Sequence, residues 1–305
     1  MQEVFVDYIN YIGGLKNYSR NTISAYEKNL SMFETWLQKN DADIFKLTAN
    51  DVRVFISELA NEKLSPATIN QVLSTIRGFY DFAVRFKLAK INPAAQIKNI
   101  KLAERLPNFL FADEMNRFCK SPDSENNLWQ ARDKAIFSCL YSSGCRVSEL
   151  VNLNVKDLSS DFKSAIVFGK GSKERKVFFA DFAVQVLKTY MLERKTLLDT
   201  LQNIKEPALF LNQKGKRLTS RGVEYIISRY VEATGSYKKI TPHTFRHSFA
   251  SMLVTKGLDI RMVQELLGHA SISTTQKYTH VTSEQLQNLY HSSHPHGAIV
   301  HEEIK

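Results

Sequence analysis

Apolar residues recur three and four positions apart along most of this chain, a spacing typical of amphipathic helices. The spacing changes once, where Ala165–Phe168 and Lys176–Phe179 form short apolar runs on either side of a Gly-Lys-Gly turn. Such runs around a glycine-rich turn predict an antiparallel hairpin. A shorter strand-like run, Leu209–Leu211, precedes a Lys-Gly-Lys turn. The sequence therefore predicts a mainly α protein with a small antiparallel β-sheet.

Helix start and stop signals predict a bundle of four or five helices in the first 98 residues. Ser19 begins one helix, Ser65 precedes a proline that opens another, and Thr48 caps a helix over Asp51–Leu59. Asn92 precedes a proline and therefore avoids the helical region, which ends the bundle. We expect these 98 residues to form a separate domain.

The helical pattern is lost between residues 99 and 108, where Lys101, Arg105 and Pro107 stand among few large apolar groups. This segment is either a basic linker that follows a phosphate backbone or an ordinary charged loop. We expect three parts: a domain over 1–98, a linker over 99–108 and a mostly helical domain with the hairpin over 109–305. A chain of 305 residues is long enough for two cores.

The formal net charge of +10 favours a polyanionic partner, although surface charge also serves solubility. No apolar run approaches the ~20 residues of a membrane-spanning helix, and the start of the chain lacks the pattern of a signal peptide. The three cysteines show no metal-binding spacing, which predicts reduced thiols. We expect a cytoplasmic protein without membrane contact.

Candidate chemical residues concentrate in the last third of the chain. His243 and Arg246 lie three apart on a predicted helix that Thr241 caps, so both can reach a phosphate near the helix N-terminus. His269 follows the glycine that ends the predicted helix Asp259–Leu267, and Tyr278 follows nine residues later in a polar segment. Each residue alone also fits an ordinary surface or capping role.

Two further cations precede them. Lys170 occupies the tip of the predicted hairpin, where it either reaches into a groove or is a solvated turn lysine. Arg146 follows Gly144-Cys145 at a predicted helix start, a place where a guanidinium can grip a phosphate in bidentate fashion.

This set suits the cleavage of a phosphodiester without a metal or another cofactor. Two arginines can neutralise a pentavalent transition state, a tyrosine can attack, and a lysine can protonate the leaving oxygen. The sequence shows no carboxylate cluster for a magnesium site. Metal-dependent nuclease chemistry is therefore disfavoured.

The order Arg, Lys, His-x-x-Arg, His, Tyr resembles the tyrosine recombinases of the Xer type. The sequence motifs around these residues also resemble that family: Ser-Gly-x-Arg-x-Ser-Glu-Leu from Ser143, Gly-Lys-Gly-x-Lys-Glu-Arg from Gly169, and Leu-Gly-His with Thr-Thr-Gln-x-Tyr-Thr-His from Leu267. The resemblance spans nearly the whole chain and implies an N-terminal SAM-like core-binding domain ahead of the catalytic domain.

The resemblance also implies a role for each residue. Tyr278 would form a 3′-phosphotyrosyl link, Arg146 and Arg246 would stabilise the transition state, and Lys170 would protonate the 5′-oxygen. His243 would assist proton transfer and His269 would hold the phosphate. Further contacts to DNA are expected, without a distinction between base and phosphate, from Lys173, Arg175 and Arg221.

The implied partners are a double-stranded DNA recombination site, a homo- or hetero-tetramer with a second recombinase, and a cell-division DNA translocase. The implied function is the resolution of chromosome or plasmid dimers at segregation. A mobile-element integrase is an alternative of the same chemistry, as is a type IB topoisomerase. A non-catalytic architectural DNA-binding protein is an alternative of another class. The tail departs from the family ending at His296, where an arginine is frequent.

Overall fold

The computed structural model describes residues 2–16, 18–102, 110–124, 129–169, 174–203, 205–233 and 239–268. It divides into two compact units, unit 1 over Met1–Arg105 and unit 2 over Leu106–Lys305. The division falls inside the segment expected as a linker.

The described part of unit 1 contains four helices: α1 (Glu3–Gly14), α2 (Arg20–Lys39), α3 (Ala49–Asn61) and α4 (Pro66–Arg85). The predicted helix starts at Ser19 and Ser65 and the predicted cap at Thr48 are confirmed, and each of the three side chains accepts a backbone N–H of the first turn. The helix expected over Asp51–Leu59 extends by two residues at each end. The sequence signals therefore located three of these four helices, and α1 was not placed individually.

The four helices bury one core between them. Helix α4 packs against α1, α2 and α3, and it contributes residues such as Phe79 and Tyr80 to a cluster that also holds Phe5, Phe33 and Phe55. All five side chains are almost fully buried. Unit 1 thus has a hydrophobic core of its own.

Unit 2 contains seven helices and one hairpin among its described residues. These are α5 (Ala112–Lys120), α6 (Gln130–Ser143), α7 (Val147–Asn152), β1 (Ser164–Phe168), β2 (Glu174–Phe178), α8 (Asp181–Thr200), α9 (Ser220–Ala233), α10 (Pro242–Thr255) and α11 (Ile260–Leu267). The strands pair in antiparallel register from Ser164 with Phe178 to Phe168 with Glu174. The predicted mainly α fold with a small antiparallel sheet is confirmed.

Two details of unit 2 differ from the sequence-based expectation. The prediction missed α8, a 20-residue helix whose first residue follows Ala180, a residue that supplies no side-chain cap. The run Leu209–Leu211 forms no strand: within it only Leu211 makes an isolated bridge, with Arg217, and the preceding Ala208 makes another with Asn154.

Helix α6 lies at the centre of unit 2. Every residue from Ala131 to Ser143 except Lys134 is buried, because α5, α8 and α10 all pack against this helix. A helix covered on all sides needs no apolar stripe. At its C-terminus, Gly144 adopts a left-handed conformation with φ of 58°, which turns the chain sharply into Arg146. The buried helix thereby fixes where the Arg146 segment begins.

Candidate active site

The structure describes three of the six predicted catalytic residues: Arg146, His243 and Arg246. The other three, Lys170, His269 and Tyr278, lie outside the described residues, as does the predicted DNA contact Lys173.

Arg246 is a buried arginine on α10, only 6% exposed. Its Nη1 donates to the carbonyl of Gly144 at 2.7 Å, and its Nη2 donates to the carbonyl of Leu267 at 2.7 Å. Burial, followed by the charges of Arg146 and Arg175, lowers the pKa of Arg246 to about 10. The guanidinium stays charged at neutral pH, and its position is fixed from two sides.

Arg146 is the N-cap residue of α7, and its backbone N–H donates to Glu149 Oε2 at 2.8 Å. Its side chain also lies against the first turn of α7, where Nη1 donates to Glu149 Oε1 at 2.9 Å. Nη2 makes a longer bond of 3.4 Å to the carbonyl of Gly268. Its side chain is 39% exposed, so part of the guanidinium remains open to a ligand.

Glu149 is a buried residue beside Arg146 that the sequence analysis did not single out. It is 3% exposed and accepts hydrogen bonds from Arg146 and from Arg175, whose Nη2 lies 2.7 Å from Oε2. Burial alone would raise the pKa of Glu149, but the Arg175 charge and these hydrogen bonds lower it below its ordinary value. The sequence signal that could have identified Glu149 is its position, since an acidic residue three positions after a helix N-cap commonly binds back to the N-cap.

Arg175, on β2, was predicted to contact DNA, yet its guanidinium is bound to protein groups. Nη2 pairs with Glu149, and Nη1 donates to the carbonyl of Leu266 at 2.7 Å. Its side chain is 14% exposed. We call Arg146, Glu149, Arg175 and Arg246 the arginine–glutamate cluster.

Three arginines of this cluster meet at the C-terminus of α11. The carbonyls of Leu266, Leu267 and Gly268 accept from Arg175, Arg246 and Arg146 respectively. The last carbonyls of a helix lack partners within the helix, and they form its negative end, so cations bind there favourably. Gly268, with φ of 65°, ends the helix one residue before His269. The cluster therefore fixes the C-terminus of α11, which ends at the residue before His269 in the sequence.

His243 lies in the first turn of α10, behind the predicted N-cap Thr241, whose hydroxyl accepts the Thr244 N–H. Its exposed ring stacks on that of His247, with centroids 5.4 Å apart and an interplanar angle of 26°. Partial desolvation of the ring, followed by the charges of His247, Arg246 and Arg146, lowers the pKa of His243. His247, four residues on, was missed by the sequence reasoning, although the i, i+4 spacing was visible.

Arg221, the third predicted DNA contact, is exposed near the start of α9. It lines a groove of about 570 Å³ together with Tyr225 of α9 and with Thr241 and Pro242 at the start of α10. The groove thus adjoins the helix that carries His243 and Arg246.

Within the described parts of the chain, no group of three or more His, Cys, Asp or Glu side chains could hold a metal ion. Within the same residues, no helix combines the length and apolar character needed to cross a membrane.

Both units match known protein families. Residues 108–285 match the phage integrase family, and residues 5–87 match the phage integrase N-terminal SAM-like domain. The chain is 52% identical over 305 residues to tyrosine recombinase XerC of Treponema denticola, covering 97% of this chain and 100% of that protein. It is 40% identical over 291 residues to tyrosine recombinase XerD of Oceanobacillus iheyensis, covering 95% and 97%.

A solved structure is similar over most of the chain as well. It is the XerH site-specific recombinase bound to a palindromic difH substrate in a post-cleavage complex, with 25% identity and a TM-score of 0.71. The similarity covers 93% of this chain and 83% of that one.

Proposed function

This chain belongs to the phage integrase family of tyrosine recombinases, and we propose that Tyr278 is the nucleophile with which it recombines DNA at a specific site. The enzyme cleaves and rejoins DNA through a covalent protein–DNA intermediate. The observation that carries the assignment of the site is the arginine–glutamate cluster, in which Arg146 and Arg246 both bind the end of α11 just before His269.

In the proposed reaction the Tyr278 hydroxyl attacks the scissile phosphorus and loses its proton, assisted by His243. A 3′-phosphotyrosyl bond forms, the bond to the 5′-oxygen breaks, and Lys170 protonates that oxygen. Arg146 and Arg246 stabilise the charge of the pentavalent transition state, and His269 donates a hydrogen bond to the phosphate. A 5′-hydroxyl of another strand reverses the step, so the bond energy is retained and no ATP is needed.

The fixed positions of the two arginines support this role. Donors that are already oriented need no reorganisation when charge develops, and loss of one such donor typically costs about 3–4 kcal/mol in rate. A guanidinium has five N–H donors, so the bonds that Arg246 gives to Gly144 and Leu267 leave others for a phosphate.

We further propose the following organisation: residues 1–98 form a core-binding domain that clamps DNA, 99–108 form the linker, and 109–305 form the catalytic domain. Arg221 and Lys173 contact DNA. The enzyme acts in the cytoplasm as a homo- or hetero-tetramer on two recombination sites, where it resolves chromosome or plasmid dimers under control of a cell-division DNA translocase. Relatives named XerC and XerD favour this role over that of a mobile-element integrase.

The test uses a nicked duplex of the host's candidate recombination site, which traps the covalent intermediate. Wild type and Tyr278→Phe are compared on a denaturing gel, and a mobility-shift assay confirms that both bind. We expect an adduct with wild type alone. An adduct with both proteins would contradict the assignment of Tyr278, and binding without any adduct would favour the architectural alternative.

A further inference from the structure

Arg175 connects two parts of the active site that are far apart in sequence. Nη2 of this arginine, on β2, binds Glu149 of α7, 26 residues away, and Nη1 binds the Leu266 carbonyl of α11, 91 residues away. Its stem passes close to Gly268, where an added Cβ would lie 2.6 Å from Cδ and 2.9 Å from Nε. The side chain is therefore held at both its guanidinium and its stem.

Through Glu149, Arg175 acts on Arg146. Glu149 binds Arg175 through Oε2 and the Arg146 guanidinium through Oε1, so one buried carboxylate orients both cations. A buried carboxylate with one partner removed keeps its desolvation cost and relaxes toward another arrangement. Loss of Arg175 would therefore free Glu149 to move, and Arg146 with it.

Arg175 and Arg246 bind neighbouring carbonyls at the C-terminus of α11. The Leu266 carbonyl that Arg175 binds is adjacent to the Leu267 carbonyl that binds Arg246. A helix end held by both cations cannot shift without breaking one of these bonds. The same helix end precedes His269.

We propose that Arg175 is a positioning residue of the recombination reaction: it holds Glu149 and the C-terminus of α11 so that Arg146 and Arg246 meet the scissile phosphate in a fixed arrangement. This inference rests on the proposed catalytic roles of Arg146 and Arg246. Arg175 itself does not touch the DNA. The sequence-based expectation, that Arg175 contacts DNA, is the competing outcome of the test.

The experiment separates binding from cleavage with Arg175→Gln, Arg175→Lys and the control Lys176→Gln, which removes a charge from the next, exposed residue of β2. Affinity for the intact site is measured at several salt concentrations, and single-turnover cleavage is measured on the nicked duplex at saturating protein. We expect Arg175→Gln to cleave roughly 10- to 100-fold more slowly, as when a group that orients a ligand is lost. Its affinity and salt dependence should match wild type.

The other two variants sharpen the comparison. The single ammonium of Arg175→Lys cannot span both acceptors, so its rate should fall between wild type and Arg175→Gln. Lys176→Gln should cleave at the wild-type rate. A wild-type rate for Arg175→Gln at saturating protein, with weaker binding and a salt slope smaller by about 1, would identify a phosphate contact and overturn the proposal.

A second pair of variants keeps the test decisive if Arg175→Gln does not fold. Gly268→Ala adds a Cβ against the Arg175 stem without removing a charge, whereas Gly257→Ala adds one at a similar positive φ of 87° with nothing within 4 Å. We expect slow cleavage with normal binding for Gly268→Ala alone. Equal rates for the two glycine variants would overturn the proposal.

A double-mutant cycle tests whether Arg175 acts through Glu149. The double variant should lose less activity than the sum of the losses, in free energy, of Arg175→Gln and Glu149→Gln, because both substitutions break the same connection. Fully additive losses would contradict action through Glu149. If Arg146 and Arg246 are not catalytic, Arg146→Gln and Arg246→Gln would themselves cleave normally, which separates failure of the premise from failure of this inference.

Discussion

Glu149 shows how a single buried carboxylate can organise the charges around it. It binds Arg146 at the start of its own helix and Arg175 from β2. Its negative charge also acts to raise the pKa of the Cys145 thiol and of the Arg246 guanidinium. Three cations around one anion would repel one another if they were free to move. Hydrogen bonds to Glu149 and to the α11 carbonyls hold them at fixed positions instead.

A pH-dependent contribution to stability follows for Glu149. Its folded-state pKa lies below the ordinary value, so its ionised form stabilises the fold at higher pH, and this contribution is lost as pH falls through the folded-state pKa. We expect Glu149→Gln to lower the melting temperature at neutral pH. The difference from wild type should shrink on acidification below about pH 4. Thermal unfolding of both proteins across this range checks the prediction, and a difference that widens toward acid would contradict it.

The stacked pair of histidines predicts a second pH effect, on activity. The pKa of His243 lies below its ordinary value of about 6.5, so the ring is neutral at pH 7. Cleavage should therefore decline only when the pH falls below about 6.5. His247→Gln removes one of the neighbours that lower the pKa of His243, which should raise that pKa toward its ordinary value. Burial, Arg246 and Arg146 would still act on the ring.

The measurement is the pH dependence of single-turnover cleavage in wild type and His247→Gln. We expect the acidic limb of the variant to lie at higher pH than that of wild type. A titration of the His243 ring by NMR in a Tyr278→Phe background assigns the shift to this residue. An acidic limb that stays in place, or moves to lower pH, would show that His247 does not tune His243.

At the scale of elements, α10 is the helix whose N-terminus matters most to the proposed chemistry. It carries His243 in its first turn and Arg246 one turn on, and Thr241 caps it through the Thr244 N–H at 3.3 Å. Thr241→Ala should destabilise the protein by about 1 kcal/mol and slow cleavage, because the first turn frays.

Thr48→Ala provides the matched control. Thr48 caps α3 in unit 1 through the Asp51 N–H, and Asp51 binds back to the Thr48 N–H. The same chemical change should destabilise unit 1 by a similar amount and leave the rate of cleavage by bound protein unchanged. Equal effects of the two variants on the rate would mean that the α10 cap has no special relation to the site.

The elements also show what the sequence can and cannot predict. Caps and apolar stripes are local, so α3 and α4 were located from Thr48 and Ser65 and the hairpin from its two apolar runs. Helix α8 was missed because Ala180 gives no capping signal. The cluster could not be predicted as a geometry, since its bonds join residues 91, 102 and 122 positions apart. The motifs identified Arg146 and Arg246 but not what holds them.

The whole molecule consists of two units, each with its own buried core. In unit 1, four helices surround a cluster that includes Phe5, Phe33, Phe55 and Phe79, all at most 1% exposed. A unit that buries its own apolar surface can fold by itself. This property suits a protein in which one unit is proposed to clamp DNA and the other to cleave it.

We therefore expect an isolated fragment of residues 1–105 to be helical by circular dichroism and to unfold in one cooperative thermal transition. Phe33→Ala should strongly lower the melting temperature of this transition, because emptying a buried phenylalanine site costs about 3–5 kcal/mol, and small domains have only about 5–15 kcal/mol of stability. Val54→Ala, at a 44% exposed position of α3, should leave the transition nearly unchanged. A broad, non-cooperative melt of the unsubstituted fragment would mean that the unit 1 core depends on the rest of the chain.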